Sequence, residues 1–293
     1  MKKFFGVLWV MAAVLGMSGA AGAAADNEYP NGIEGIKAGS VPPPGFYYKM
    51  YNVFYTADTL KDSKGNDINN GFDVTTFVNA HRFIWITDHK ILGADYGMDM
   101  VVPLMNVDLK VKAANIKDSQ SGLGDIFFEP LILSWHGPRY DLSFGAGVYA
   151  PTGQYDKTEP ASPGKGMWTP MFTLGGTYYF DAAKTWSGSV LARYEIHSEN
   201  KDTDLRPGDD FHFEWGVGKS IGTWEVGATG YCQWQVTNGD DGVPKDRVYA
   251  IGPEASVFLP PVKMFLTLRS LWEFGAEERS QGVFTTLVLT KIF

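Results

Sequence analysis

Cysteine is almost missing from this chain of 293 residues, which holds Cys232 alone. A single cysteine cannot form an internal disulfide, and it rules out a metal cluster built on several thiolates. Basic residues are also in deficit, with 25 Lys and Arg against 33 Asp and Glu. Because duplex binding needs a basic face that displaces counterions, the charge balance argues against nucleic acid as a partner.

Long apolar runs are missing after residue 25, which excludes a helical membrane protein, because each spanning helix needs about 20 apolar residues. Residues 1–25 are predicted to be a secretory signal peptide. Lys2 and Lys3 precede an apolar stretch, and small residues follow it with cleavage expected near Ala23 or Ala25. The apolar stretch is too short for a membrane anchor, so we expect an exported chain with a cleaved leader.

Glycine and aromatic residues are abundant, with 34 Gly and 14% Phe, Trp and Tyr. Residues 26–45 form a Pro/Gly-rich segment that ends in Val41-Pro42-Pro43-Pro44-Gly45. Proline-rich sequence favours extended backbone and cannot continue a helix. We expect this segment to be a lead-in on the periplasmic side of the domain that follows.

The dominant sequence period after residue 45 is two, which is the period of a strand with one apolar and one polar face. Tyr140, Leu142 and Phe144 alternate with Asp141 and Ser143, for example. Most such segments are longer than the 5–6 residues typical of soluble sheets. We predict about twelve of them: 46–60, 73–87, 94–111, 122–136, 140–153, 167–181, 186–198, 209–221, 224–237, 248–259, 262–275 and 282–293.

Connections between these segments alternate between long polar loops, such as 61–71 and 154–166, and short turns, such as 137–139 and 222–223. Long external loops and short periplasmic turns are typical of outer-membrane barrels. The alternative is a secreted β-sandwich or β-propeller. The outward positions of those folds would be polar, whereas here the strand face without charged residues is apolar. We therefore predict an all-β fold: a single antiparallel transmembrane β-barrel of about 12 strands over residues 46–293, in the bacterial outer membrane.

The last strand supports the same fold. Phe293 resembles the terminal aromatic residue of outer-membrane barrels, whose final strand is apolar at alternate positions. Leu289 and Leu287 fit that pattern, whereas Lys291 departs from it.

Gly and Pro motifs recur in a fixed order along the chain: Val41 to Gly45, Gly122 to Ile126 with Pro130, Gly147 to Tyr155, Gly175 to Tyr178, Gly208-Asp209 with Trp215, Gly230-Tyr231 with Gln233, and Ile251 to Pro253. This run resembles the family named for the meta-cleavage pathway of phenol degradation, whose members are outer-membrane transport proteins encoded beside genes of aromatic catabolism. The likeness covers nearly all of the chain after the leader. It implies a barrel and the uptake of hydrophobic or aromatic compounds, and it transfers no catalytic residue.

Charged residues on the predicted inner face are the candidate permeation residues. They are either paired into a network that fills a narrow lumen or form a constriction that selects solutes by charge and shape. Arg193 and Arg269 are the positive members that we expect to be most informative. The full set is Asp95, Asp99, Asp125, Glu129, Arg193, Glu195, His197, Glu214, Glu225, Arg269 and Glu273.

Catalytic and metal motifs give little support to an enzyme. G-x-S-x-G occurs once, at Gly218 to Gly222, but it spans the turn between two predicted strands and does not lead into a helix, and no H-E-x-x-H occurs. We therefore expect no catalytic residue, no metal site and no cofactor. The expected function is a channel or transporter for small hydrophobic compounds, aromatic ones foremost, in contact with outer-membrane lipid and lipopolysaccharide. Phe46, Tyr55, Tyr149 and Tyr231 are aromatic residues that could line its path. The alternative is a closed-lumen structural barrel or a lipid-processing, lipase-like barrel.

Overall fold

Residues 27–240 and 242–293 are described by the computed structural model, so the predicted signal peptide lies outside the described residues. None of the described residues forms a helix long and apolar enough to cross a membrane. The strands are β1 (Gly45–Leu60), β2 (Phe72–Ile91), β3 (Ala94–Val111), β4 (Ile116–Leu123), β5 (Ile126–His136), β6 (Tyr140–Ala150), β7 (Thr169–Tyr179), β8 (Trp186–Glu195), β9 (Asp210–Ile221), β10 (Trp224–Gln235), β11 (Arg247–Leu259), β12 (Met264–Glu277) and β13 (Ser280–Ile292).

These strands form one closed antiparallel barrel with twelve strand positions. Each strand pairs with its neighbours in the chain, except that β4 and β5 do not pair with each other, and β1 pairs with β13 to close the ring. The positions number twelve because β4 and β5 both pair with β3, one after the other along its length. The β1–β13 pairing closes the ring, as a sheet in lipid requires, and among the described residues β4 has a pairing partner on one edge only. The predicted fold class and strand number are confirmed.

Along each strand, side chains alternate between the outer and the inner face of the barrel, as the period of two predicts. Large apolar side chains on the outer face are exposed, among them Trp85, Trp186 and Trp224, each at least 43%. Acidic, basic and hydroxyl side chains on the inner face are mostly buried, and Glu214 and Thr229 are examples. An apolar outside and a polar inside are what a barrel surrounded by hydrocarbon needs.

The fourth strand position differs from its prediction. Residues 112–121 were expected to form a long loop, but a short 3-10 turn (Lys112–Ala114) leads directly into β4, which extends the hairpin with β3. The strand breaks at Gly124 and Asp125 before β5 begins. The Asp125 carboxylate instead accepts hydrogen bonds from the backbone N–H groups of Gly153 (2.8 Å) and Lys165 (2.6 Å), which fixes the long β6–β7 loop.

The segment before β1 differs from its prediction in location. Residues 27–41 do not extend into the periplasm but lie inside the barrel, in contact with inward side chains of β1, β2, β6, β8, β9 and β11. We call residues 27–41 the plug. Near Ser40 the plug meets Asp141 at the end with the short turns, and Glu28 meets Glu195 near the opposite end. The physical reason is that an irregular Gly/Pro segment has unpaired backbone N–H groups, and the lumen supplies their acceptors.

Candidate functional site

Carboxylates of the wall hold the backbone of the plug. Glu195 accepts hydrogen bonds from the N–H groups of Glu28 (2.7 Å) and Tyr29 (3.2 Å). Glu214 accepts from Gly32 (2.9 Å) and Glu34 (3.0 Å). Hydrogen bonds to an ionised acceptor are stronger than hydrogen bonds between neutral groups, so each carboxylate holds two backbone N–H groups of the plug in place. This arrangement accounts for the acidic excess of the inner face.

The two predicted arginines also contact the plug. Arg269 donates from Nε to Glu254 (2.6 Å) and from NH1 to the carbonyl oxygen of Gly32 (2.8 Å). The guanidinium of Arg193 lies over the ring of Tyr29, 3.7 Å from its centroid. Both arginines are buried, and each compensates carboxylates that would otherwise be buried without a counter-charge.

Glu34 is the acidic residue of the plug itself. Its carboxylate accepts hydrogen bonds from Lys49 (2.9 Å), Arg82 (2.8 Å) and the hydroxyl of Tyr51 (2.7 Å). Burial alone would raise the pKa of Glu34, but Lys49 and Arg82 hold that pKa well below the usual range of a glutamate. Glu34 is therefore ionised at neutral pH and ties the plug to β1 and β2.

Glycine is required where the plug passes close to the wall. A Cβ at Gly39 would lie 2.4 Å from the backbone nitrogen of Gly176, and a Cβ at Gly35 would lie 1.6 Å from Oε2 of Glu254. Side chains at these two positions would push the plug away from β7 and β11.

The remaining predicted residues form separate contacts around the lumen. Glu195 also accepts from Nε2 of His212 (2.8 Å), with His197 3.5 Å away, and Glu273 accepts from Tyr55 (2.9 Å) and Tyr231 (2.5 Å). Of the eleven predicted residues, Asp95, Asp99, Asp125, Glu129, Arg193, Glu195, His197, Glu214, Arg269 and Glu273 are buried, and Glu225 is half-buried in an ion pair with Lys37.

Metal ligands do not converge. In the described ranges, no group of three or more His, Cys, Asp or Glu could hold a metal ion. His197 and His212 instead approach the two oxygens of Glu195.

A cavity lies between the plug and the inward faces of β1, β2, β3, β5 and β6, and we call this side the free half of the lumen. Its volume, counted as the space open to the centres of water-sized molecules, is about 170 Å³. Apolar side chains of β1, β2, β3 and β5 line much of it, including Val53, Ala80, Val101 and Phe127. Charged residues that line the cavity, such as Arg82 and Glu129, lie between its apolar parts.

Sequence reasoning missed this apolar lumen face. It assigned the apolar residues outward and the charged residues inward, whereas inward Val53, Val78 and Ala80 are all apolar and buried. The signal was present, because β1 and β2 carry apolar residues on both faces. Of the aromatic candidates, Tyr149 lines the cavity, and Tyr55 and Tyr231 are buried inward, but Phe46 was misplaced, because it lies exposed on the outer face against Phe293.

Comparison with solved structures shows the same architecture. The COG4313 outer membrane channel from Pseudomonas putida F1 is similar with a TM-score of 0.76 at 14% identity, over 91% of this chain and 100% of that chain. The beta domain of the Bordetella autotransporter BrkA gives a TM-score of 0.54 at 10% identity, over 86% of this chain and 100% of that chain. Identities this low establish the fold alone.

Comparison of sequences gives the family. No similar sequence was found among curated proteins. The family model described as "Putative MetA-pathway of phenol degradation" matches residues 57–287, which is most of the chain and nearly the whole barrel. The chain is thus an outer-membrane β-barrel that belongs to this phenol-degradation family.

Proposed function

We propose that this barrel is an outer-membrane channel for small hydrophobic molecules, aromatic ones foremost. The observation that carries the proposal is the cavity beside the plug, which is lined on one side by apolar side chains such as Val78, Val101 and Phe127. A cavity of about 150 Å³ with an apolar lining is large enough to bind benzene. A path of this size and lining accepts a single aromatic ring.

The plug explains how such a path remains selective. Its backbone and the wall carboxylates satisfy each other, so the filled half of the lumen offers no continuous water-filled pore. Hydrated sugars and ions would need that pore. An apolar solute needs only weak contacts in series along the free half, which suits transport better than one tight site.

The outer face supports the location of the channel. Exposed tryptophans such as Trp168 and Trp272 provide the rings that lie at the boundaries of the hydrocarbon layer. We expect this face to contact outer-membrane lipid and lipopolysaccharide.

The lipase-like alternative is less well supported by the geometry. Near the periplasmic end, Nδ1 of His136 lies 3.0 Å from Asp141, and its Nε2 lies 3.4 Å from Oγ of Ser134. These contacts have the connectivity of a catalytic triad, but Ser134 is buried and does not line the cavity. A substrate carbonyl therefore has no approach to its hydroxyl.

Solute uptake by proteoliposomes tests the proposal. Vesicles with an outer leaflet of lipopolysaccharide slow the passive entry of hydrophobic solutes, so the protein's contribution can be measured. We expect radiolabelled toluene to enter faster than into matched protein-free vesicles, while a radiolabelled pentose enters at the protein-free rate. Equal toluene uptake with and without protein would favour the closed-lumen structural barrel.

A further inference from the structure

We propose that Glu129 forms a hydroxyl-binding site inside the cavity. The site would take a neutral single aromatic ring that carries a hydroxyl group, in preference to a hydrocarbon of the same shape. This inference rests on the proposed channel function and adds a chemical preference to it.

A bulge in β5 positions the carboxylate. Glu129 and Ile132 lie opposite Asp99 and Gly97 of β3, so β5 has one more residue than β3 over this stretch. The pairing of β5 with β6 shows the same extra residue between Phe128 and Leu131. β-bulges commonly re-aim side chains near functional sites. Here the bulge lets Glu129 and Ile132, three residues apart, both face the lumen.

A glycine on the next strand makes room for the carboxylate. A Cβ at Gly145 would lie 2.2 Å from Oε1 of Glu129, so this side-chain position is open only because residue 145 is glycine. Across Gly145, Thr173 of β7 also lines the cavity. The wall around Oε1 is thus shaped by three adjacent strands.

The Glu129 carboxylate has unused hydrogen-bonding capacity. It is 5% exposed, and Oε1 has no hydrogen-bond partner among the described residues. Its other oxygen, Oε2, lies 3.8 Å from NH2 of Arg82, which is already hydrogen-bonded to Asp99 and Glu34. Buried polar atoms nearly always have a partner, so this acceptor beside the cavity can take a hydrogen bond from a ligand group that donates to it.

An aromatic slot lies next to the carboxylate. Phe127, two residues before Glu129 on the same inner face, packs on Tyr149 with ring centroids 4.6 Å apart. Val101 pairs with Phe127 from β3, and all three side chains line the cavity. A ring placed against Phe127 and Val101 would hold a hydroxyl substituent within reach of Oε1.

The charges around the slot favour a neutral ligand. Glu34, Asp99 and Glu129 lie around Arg82, and Lys49 is the second cation in contact with Glu34. A carboxylate added beside Glu129 would meet three existing carboxyl groups, and the two cations among them, Arg82 and Lys49, are already paired. A phenolic O–H donates to Oε1 without adding charge, and a site built around a hydroxyl discriminates against an analogue that lacks it.

Binding of two fluorinated probes tests the site. 4-Fluorophenol and 4-fluorotoluene have nearly the same shape, and ¹⁹F NMR titration measures their binding to the protein in lipid nanodiscs, with empty nanodiscs subtracted. We expect wild-type protein to prefer 4-fluorophenol by about fivefold to tenfold, the net value of one buried hydrogen bond. Glu129→Leu should reduce this preference to near unity, and Glu129→Gln should retain part of it.

Two further variants keep the test interpretable. Gly145→Ala should also reduce the preference, because its Cβ displaces Oε1 while Glu129 stays in place. Glu277→Leu removes a half-buried carboxylate outside the cavity that pairs with Arg247, and it should leave the preference unchanged. A phenol preference that survives both Glu129→Leu and Gly145→Ala overturns the site alone. Absence of specific binding by either probe overturns the channel function as well.

Discussion

Replacement of Arg269 by alanine should release the plug. Arg269 is 3% exposed, and it joins Glu254 on the wall to the carbonyl oxygen of Gly32 in the plug. Without it, the Glu254 carboxylate stays buried, and within residues 27–240 and 242–293 its hydrogen-bond partner is then the N–H of Ile36 alone, at 3.2 and 3.3 Å from its two oxygens. Breaking a buried ion pair by removing one partner costs about 3–5 kcal/mol.

That cost acts on the plugged state. When the plug leaves, water enters the lumen and hydrates Glu254, so the penalty largely disappears in the unplugged state. A difference of about 3 kcal/mol shifts an equilibrium by roughly a hundredfold. We therefore expect Arg269→Ala to raise the unplugged fraction by about two orders of magnitude.

Single-channel recording in planar bilayers measures this fraction directly. Wild-type protein should conduct ions rarely, whereas Arg269→Ala should show frequent, large openings. Arg247→Ala is the matched control, since Arg247 forms a partly exposed pair with Glu277 (2.6 Å), and such pairs contribute only about 0–1 kcal/mol. Identical ion currents in the two variants would refute the anchoring role of Arg269.

Three other predictions concern the pH response of the plug, the lipid-facing side chains and the signal peptide. Because the pKa of Glu34 is lowered in the folded state, its stabilisation of the plug is complete above the normal glutamate pKa of about 4.3 and is lost as the pH falls further. Conductance should therefore rise below about pH 4, and conductance at pH 3 no higher than at pH 5 would contradict this. Val190 is 47% exposed on the outer face, so Val190→Arg should cost about 2–4 kcal/mol in urea unfolding from lipid vesicles, while Val190→Ala should cost far less. Mass spectrometry of the purified outer-membrane form should find cleavage near Ala23 or Ala25, and a retained Met1 would show that the leader is not removed.

Much of the wall was predictable because its chemistry is local. An apolar residue at every second position fixes which face meets lipid, and the short turns at 137–139 and 222–223 mark where the strands reverse. Each of these signals involves neighbouring residues. The strand number and the apolar outer face were accordingly predicted correctly.

The plug was not predictable in the same way. Its contacts are distant in sequence, and Glu28 and Glu195 are 167 residues apart. Residues 26–45 have no apolar period, so nothing local distinguishes a segment in the lumen from one in the periplasm. The excess of carboxylates on the inner face was visible, but without a partner it suggested charge pairs rather than acceptors for backbone N–H groups.

The candidate site was predictable only in the part that depends on local sequence. Glu129 and Asp99 were identified as inward residues from the alternation alone, and both are buried and inward. The bulge after Glu129 adds one residue, and the sequence shows only Pro130 as a hint of irregular pairing. The room that Gly145 leaves for Oε1 depends on a cross-strand pairing that the sequence does not specify.

The central claim, that apolar solutes pass through the free half of the lumen, is tested most directly by filling that half. Ala80 lines the cavity on β2, and Ala80→Trp would place an indole in it, whereas Phe77→Trp places the same indole on the exposed outer face of the same strand. Heat-modifiable migration in gels verifies that both variants fold into barrels. We predict that proteoliposomes with Ala80→Trp lose most of the toluene uptake and that those with Phe77→Trp keep it. Wild-type uptake by a folded Ala80→Trp barrel would contradict the proposed path.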